Sequence, residues 1–529
     1  RSLLLVLFIS LSWSWVTGVT VTPLFGYLFL RAKPPKPGET AAKDPYDTPI
    51  YRTYRRLLVS AMRVWPVTLL GLAVMLAAAV FGFRFVDRSF FPDSTRPQYL
   101  VDIWAPTGTR LVETERIAAE MAEVVRGLPG VTHVTTSVGQ GTLRFLLTYS
   151  PERFDTGFAQ LIVDVPDIGQ IGGLIAQSQE RLSAMNPAVQ INARRFLQGP
   201  GDGGRIQARF FADDYDEARR AATAAMDILR ADGGGKGIRL ESRDQAPVLE
   251  PQFSETQARL TGIQRPDLGA ALEAATLGRR VGVFREGEEL VPIVSRAPAA
   301  ERSDPEYLND VQVFSPVAGQ SVPVRQVVSG FTVGIEDPII FRRDRQRLIT
   351  VHADSAGELP SVVFERVRAK IEAIPLPPGA RLEWGGEYED SRDAQAALAS
   401  QVPPFVLLMV LIVVALFNNL RVTAIIWLTV PLSIIGITAG LLMFQKPFGF
   451  LALLGALALS GMLIKNAIVL IDEIRLQLGT GREPWDAVAD AAVSRVRPVS
   501  MAALTTTFGL IPLMFDPFFD AMAVTIVVG

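Results

Sequence analysis

Lys465 asks more of its surroundings than any other residue in this chain. It is the single ionisable group in the apolar run 448–471 (FGFLALLGALALSGMLIKNAIVLI), which at about 1.5 Å per helical residue is long enough to cross a hydrocarbon core of about 30 Å. An ammonium group at that depth costs about 2.5–3.5 kcal/mol, so it must face protein or water and find a partner. Ala458, Gly461, Lys465 and Asp472 recur near one helix face, and the small residues among them admit another helix at close range. Two readings follow. Either Lys465 handles charge inside a helix bundle, or it is structural and reaches toward the headgroups, where Asp472 and Glu473 stand about two turns on. No other apolar stretch carries an Asp or Glu in its interior; Asp87 and Asp472 stand at helix ends. The chain also starts at Arg1 and stops inside an apolar run at Gly529. The expectation is a fragment whose missing part supplies the carboxylate for Lys465.

A second stretch, 139–157, sets Gly139 and Gly141 among Leu143, Phe145, Leu146, Leu147 and Tyr149. Apolar side chains between glycines suit a mobile flap over an apolar pocket, or equally a β-hairpin with one buried side. Elsewhere the chemistry is sparse. The 529 residues contain no cysteine and only His133 and His352, which excludes disulfides and thiolate sites and all but excludes a histidine-rich metal centre. A net charge of −2 gives no footing for nucleic acid. There is no nucleophile elbow, and 233–236 (GGGK) follows a helix without phosphate-loop spacing, so it reads as a turn and the chain as no enzyme. Met121, Met185 and Met226 are too few for a thioether site, and at least two of them lie on helix faces where core packing is the expected role.

The elements that position these residues alternate between membrane and water. Residues 1–30 form an apolar span; 31–64 hold the basic Arg31, Lys33, Lys36 and Lys43, then an amphipathic interfacial helix; 65–87 form a second span. From 88 to about 398 no span-length apolar run occurs. This region repeats a β-α-β unit in pairs, first within 88–200 and again in 201–246 and 347–398, interrupted by an inserted domain at 247–346. Residues 400–529 return to the membrane as spans 402–417, 422–444, 448–474 and 501–515 and the start of another. The fold class is α+β: a transmembrane helix bundle with an external domain of two ferredoxin-like repeats and an inserted subdomain.

With Thr22-Pro23, Phe91-Pro92-Asp93, Trp384-Gly385-Gly386, Val430-Pro431-Leu432, Gly461…Lys465-Asn466-Ala467-Ile468, Arg495-Val496-Arg497-Pro498 and Gly509-Leu510-Ile511-Pro512-Leu513 in this order, the chain resembles the C-terminal half of a resistance-nodulation-division (RND) efflux permease of the hydrophobe and amphiphile type. The resemblance covers essentially the whole chain, from the family's sixth transmembrane helix to the start of its twelfth. It implies that Lys465 and Arg495 belong to a proton relay whose aspartates lie on a helix of the missing N-terminal half. The family's relay threonine falls on Ala502, leaving Thr505 or Thr506 to supply the hydroxyl. It further implies that 139–157 is the switch loop, with Gly139, Gly141, Leu143, Phe145 and Tyr149 beside pocket positions Thr135 and Gln160, where multidrug members carry phenylalanine. The 247–346 insert corresponds to a docking subdomain. The implied function is proton-driven export of small amphiphiles from the bacterial inner membrane, with a periplasmic porter domain, no cofactor beyond the proton gradient, a homotrimer, a periplasmic adaptor and an outer-membrane channel. Alternatives are a scaffold or a lipid- or protein-export auxiliary of related fold and, as the lesser one, metal-ion efflux.

Overall fold

The computed structural model describes residues 2–29, 48–199, 204–302 and 304–529. The basic residues Arg31, Lys33, Lys36 and Lys43 lie outside them. The chain divides into two compact units, Arg1–Gly71 with Ile468–Ala502, and Leu72–Ala467 with Ala503–Gly529.

The first unit contains helices α1 (Ser2–Phe29) and α2 (Pro49–Arg63), the start of α3 (Trp65–Gly82), and parts of two long helices described below. Helix α2 starts as the sequence predicts, with Thr48 in extended conformation before Pro49, because proline has no N–H to lose in a first turn. None of its residues is buried. Arg55 ties it to Asp490, at 2.9 Å.

In the second unit, β1 (Gln98–Trp104), α4 (Leu111–Arg126), β2 (His133–Val138), β3 (Phe158–Asp164), α5 (Ile171–Met185) and β4 (Gln190–Arg195) form an antiparallel sheet in the order β2-β3-β1-β4. Alternation along β1 sends Tyr99, Val101 and Ile103 into a core shared with Ile117, Met121 and Val125 of α4 and with Leu174 and Leu182 of α5. The other face of β1, carrying Leu100, Asp102 and Trp104, is buried too.

The pattern then recurs. Strand β5 (Ile206–Phe211) leads to α6 (Tyr215–Asp232) and β6 (Gly235–Leu240). Of the turn expected at 233–236 only Gly233 and Gly234 lie outside the elements, since Gly235 and Lys236 already belong to β6; α6 stops at Gly233 with φ +75°, a left-handed position that glycine adopts without penalty. The inserted domain follows. Its stalk is a ribbon of β7 (Ala246–Phe253) against β12 (Val328–Glu336), and between these lie α7 (Glu255–Thr261), α8 (Arg265–Thr276), a hairpin β8 (Arg279–Glu286)–β9 (Glu289–Ser295), a turn of helix α9 (Ala299–Arg302), and the pair β10 (Gln312–Ser315)–β11 (Gln320–Pro323). The insert has its own core around Ile263, Leu268, Val313, Val324 and Val327.

Strands β13 (Phe341–Arg343), β14 (Gln346–Ser355) and β15 (Arg381–Gly386), with α10 (Pro360–Glu372), complete the second sheet in the order β13-β14-β5-β15. β13 falls inside the stretch 247–346 expected to be insert, yet it pairs with the start of β14, while β6 pairs farther along the same ten-residue strand.

Five helical stretches among the described residues are long and apolar enough to cross a membrane: Trp65–Phe85, Glu387–Phe417, Leu420–Met443, Phe450–Gly479 and Pro484–Phe515. They contain α3, α11 (Glu387–Phe417), α12 (Leu420–Thr429) with α13 (Ser433–Met443), α14 (Phe450–Gly479) and α15 (Pro484–Leu510); α16 (Asp520–Val528) follows. Two boundaries differ from the expectation. Helix α11 starts at Glu387 rather than 402, since the polar residues 387–401 are helix-compatible and Pro403 and Pro404 sit within the helix without ending it. Likewise α15 runs straight through Pro498 from Pro484, not from 501.

Glycines set the closest helix contacts. A Cβ on Gly436 would lie 2.5 Å from the Val528 carbonyl oxygen, one on Gly440 2.8 Å from Val528 Cβ, and one on Gly455 3.0 Å from the Met522 carbonyl oxygen. Small residues of α13 and α14 therefore let α16 sink between them. Lys446 and Asp520 pair at 2.7 Å beside this packing.

Candidate functional site

Lys465 sits on α14, with Ile464 buried beside it. The expectation that Gly461 receives a neighbouring helix is not met within this chain: nothing lies within 4 Å of a Cβ built there, and Ala458 and Lys465 are exposed. The covered face of α14 is instead that of Ala452, Gly455 and Leu459. The helix presses one small-residue face onto α16 and leaves the lysine-bearing face open. Among the described residues no carboxylate lies within ion-pair distance of Lys465.

Of the other residues assigned to the relay, Thr505 and Thr506 belong to the same unit as Lys465, and Arg495 to the other. Thr505 is exposed and Thr506 half-buried on α15, and neither is hydrogen-bonded to Lys465. Arg495 is engaged with Glu473 of α14, Nη2 donating to Oε2 at 2.5 Å, and Gln477 donates to the other Glu473 oxygen at 3.0 Å. The sequence alone offers Glu473 only as a possible headgroup-side companion of Lys465.

A second arrangement occupies the polar faces of the two sheets. Gln160 on β3 is 1% exposed and acts as a hub. Its Nε2 donates to Asp102 Oδ1 at 2.6 Å; its Oε1 accepts from the Tyr149 hydroxyl at 2.6 Å and from the Thr142 amide and hydroxyl at 3.2 and 3.1 Å. Asp102 Oδ2 accepts from Arg194 Nε at 2.7 Å.

From the second sheet, Asp354 reaches across to Asn192 at 2.8 Å and takes the Arg205 amide at 3.0 Å, while Lys236 donates to the Ala193 carbonyl at 2.7 Å. Arg239 stacks 4.2 Å above Trp104. Burial raises the cost of charge on Asp354, but Arg194, Asn192 and Arg205 outweigh it and hold the carboxyl below its ordinary range. Burial, followed by the field of Asp102, pushes the Tyr149 phenol up.

The segment 139–157 is neither a hairpin nor a free flap. It contains no strand, because its stems are closed by isolated bonds: Gly139 N to Phe158 O and Asp155 N to Gly139 O, both 2.8 Å, and Gly141 N to Glu152 O at 3.0 Å. Gly139 sits at φ +84°. At Gly141 a Cβ would meet the Glu152 amide nitrogen at 2.4 Å. The loop buries Tyr149 with Leu100, Ile162 and Phe196, and the Phe145 ring lies 5.4 and 5.6 Å from the Tyr149 and Phe196 rings. Leu143 and Leu147 stay more than three-quarters exposed.

Thr135 shares a sheet face with Gln160, since Thr135 pairs with Ile162 and Ser137 with Gln160. The loop covers Gln160 and leaves Thr135 exposed. Met121 and Met226 are buried as expected of core residues, whereas Met185 is exposed. The sequence reading missed Asp102, Asn192, Arg194 and Asp354. The available signal was Asp102 itself, a charge inside the apolar run 99–104.

Comparison with known proteins extends this picture. The nickel-cobalt-cadmium resistance protein NccA of Alcaligenes xylosoxydans xylosoxydans is 25% identical over 97% of this chain and 48% of its own length. The nickel and cobalt resistance protein CnrA of Cupriavidus metallidurans is 27% identical, again over 97% of this chain and 48% of itself. A crystal structure of a heavy metal efflux pump superposes with a TM-score of 0.74 at 21% identity, covering 90% of this chain and 49% of that one; this likeness concerns the fold. The chain thus spans about half the length of the curated relatives it matches. The amphiphile subtype expected from the sequence is not the one these similarities favour, for both relatives are named for metal resistance. The model of the AcrB/AcrD/AcrF family matches residues 1–517, and the chain belongs to that family of RND permeases.

Proposed function

We propose that this chain carries the porter domain and part of the proton-coupling bundle of an inner-membrane RND efflux pump whose cargo is a small polar cation, divalent metal ions foremost. The carrying observation is the open face of α14: a lysine in the middle of a membrane-length helix, beside a glycine with no neighbour within 4 Å. An unpartnered ammonium in hydrocarbon calls for a carboxylate-bearing helix against that face. Protonating such a carboxylate would cancel its attraction for Lys465 and let the helices shift, which is how a proton gradient moves a porter domain. We read the two β-α-β sheets as ferredoxin-like repeats of a periplasmic porter, the insert as a docking subdomain, and the working unit as a trimer joined to an adaptor and an outer-membrane channel.

The cargo class is supported by the names of the relatives and by the cleft chemistry. Asp102, Gln160, Asn192 and Asp354 offer oxygen donors of the type that suits hard cations, although among the described residues no group of three or more His, Asp or Glu is placed to hold a metal ion. Arg194 and the Arg205 amide occupy these carboxylates, so a cation bound there would have to displace them.

The test is export from vesicles containing the assembled pump under an imposed pH gradient, with Ni²⁺, Co²⁺ and a cationic dye as cargoes. Lys465→Ala should abolish gradient-driven export at normal protein level; normal export would sink the relay reading.

A second cargo reading, amphiphilic molecules, is favoured by a cavity of about 510 Å³ bordered by Phe83, Phe90, Phe364, Phe448, Phe450 and Glu387, a size and lining that suit an apolar body with one charged group. Dye export without metal export would select it.

A further inference from the structure

We propose that Glu473 positions Arg495 in the proton relay, as a residue that acts through the arginine rather than on cargo. The inference rests on the reading of Lys465 and Arg495 as relay groups and adds a member that reading does not contain. Glu473 and Arg495 come from different helices and meet at 2.5 Å, with side-chain exposures of 13% and 35%. The carboxylate is gripped at both oxygens, by Arg495 on one and Gln477 on the other, so its orientation is fixed. The guanidinium, in contrast, is held by a terminal nitrogen while its Nε is buried and makes no hydrogen bond.

A buried donor left unmade is costly and rare. In the proposed cycle Nε is the donor left available to a second acceptor. Arg495 is thus anchored at one end and open at the other. An anchored guanidinium presents its free donor without reorienting, which is what a positioned charge contributes to a transfer step.

The surrounding charges do not duplicate Glu473. On α14, Asp472 is exposed and Arg475 has the opposite sign. On α15, Arg497 repeats the charge of Arg495 and Asp486 is exposed. Asp490 is engaged by both Arg55 and Arg482.

The experiment uses the assembled pump in vesicles, with export followed as a function of external pH for wild type, Glu473→Gln, Glu473→Asp, Arg495→Gln, the double variant Glu473→Gln/Arg495→Gln, and Lys465→Ala. Loss of one charge-assisted bond to the guanidinium should lower export about tenfold at neutral pH in Glu473→Gln and displace its pH profile. Glu473→Asp should restore the profile. The double variant should be no worse than Arg495→Gln alone, as required of a residue acting through Arg495.

A wild-type rate and pH profile in Glu473→Gln, alongside an inactive Lys465→Ala, would overturn the positioning role and leave the relay reading standing. Normal export by Lys465→Ala would overturn both. A lower rate with an unmoved pH profile, or a double variant worse than Arg495→Gln alone, would make Glu473 structural.

Discussion

The Gln160 hub predicts how firmly the 139–157 loop is closed. Opening this loop breaks the bonds that Gln160 Oε1 accepts from the Tyr149 hydroxyl and from Thr142, while the Gln160–Asp102 bond lies within the sheet and survives. Replacing Gln160 with leucine keeps the bulk but removes the acceptor. The Tyr149 hydroxyl would then lose its 2.6 Å acceptor in the closed state. At about 1 kcal/mol for the tyrosine bond and a similar sum for the two longer threonine bonds, opening becomes easier by about 2 kcal/mol, or about 30-fold in population. Trypsin reports this directly, because Arg144 and Arg153 are both in the loop and cleavage tracks the open population when closing is fast. Gln160→Leu should be nicked about 30-fold faster than wild type. Tyr149→Phe keeps the ring packing and loses one bond of about 1 kcal/mol, so it should be nicked about fivefold faster. Equal rates in Gln160→Leu and wild type, or in the two variants, would refute the hub.

Three further predictions concern packing and acid sensitivity. Gly436→Ala places a methyl 2.5 Å from the Val528 carbonyl oxygen and should lower the thermal midpoint of the detergent-solubilised protein, at about 1–3 kcal/mol for overpacking. Gly461→Ala meets nothing within 4 Å; it should leave that midpoint unchanged yet impair export if a partner helix docks there, and unimpaired export would count against such a helix.

His352 is 6% exposed, and burial, then the positive charge of Arg239, depresses its pKa below 6.5. In the window between the depressed folded value and the unfolded 6.5, the unfolded chain binds the extra proton. The neutral imidazole therefore contributes stability that is present above about pH 6.5 and lost as pH falls toward the folded pKa. His352→Gln should flatten the decline of the thermal midpoint between pH 7.5 and 5, and an undiminished decline would refute the assignment.

The repeat was legible in sequence because its helices each bury one face, as in α6, where Ala218, Ala222, Ala225 and Leu229 recur at helical spacing. Lys465 was legible for a different reason: charge in an apolar run has few acceptable explanations. The cleft was not legible, because Asp102, Asn192, Arg194 and Asp354 are unremarkable one by one and acquire partners only when strands 58 to 162 positions apart in sequence are brought together. The course of 139–157 was equally hidden, since its closure depends on Gln160 and on single backbone bonds that leave no periodicity. Continuous helix through Pro403-Pro404 and Pro498 defeated a boundary rule that treats proline as a stop.

The joint between β15 and α11 has a mechanical consequence. The strand ends and the helix begins at one residue, Gly386, at φ 68° and ψ −145°, a conformation essentially confined to glycine. The Glu387 amide is clipped to the Arg205 carbonyl at 2.9 Å, at the edge of β5. No slack linker therefore separates the second sheet from a helix of 31 residues, about 46 Å long at 1.5 Å per residue. Such a helix is a lever arm: a tilt of about 5° at its far end swings the sheet end through about 4 Å. The arm can flex most easily where Pro403 and Pro404 forfeit backbone hydrogen bonds. Torque generated beyond that point reaches the cleft only to the extent that the two prolines stay stiff.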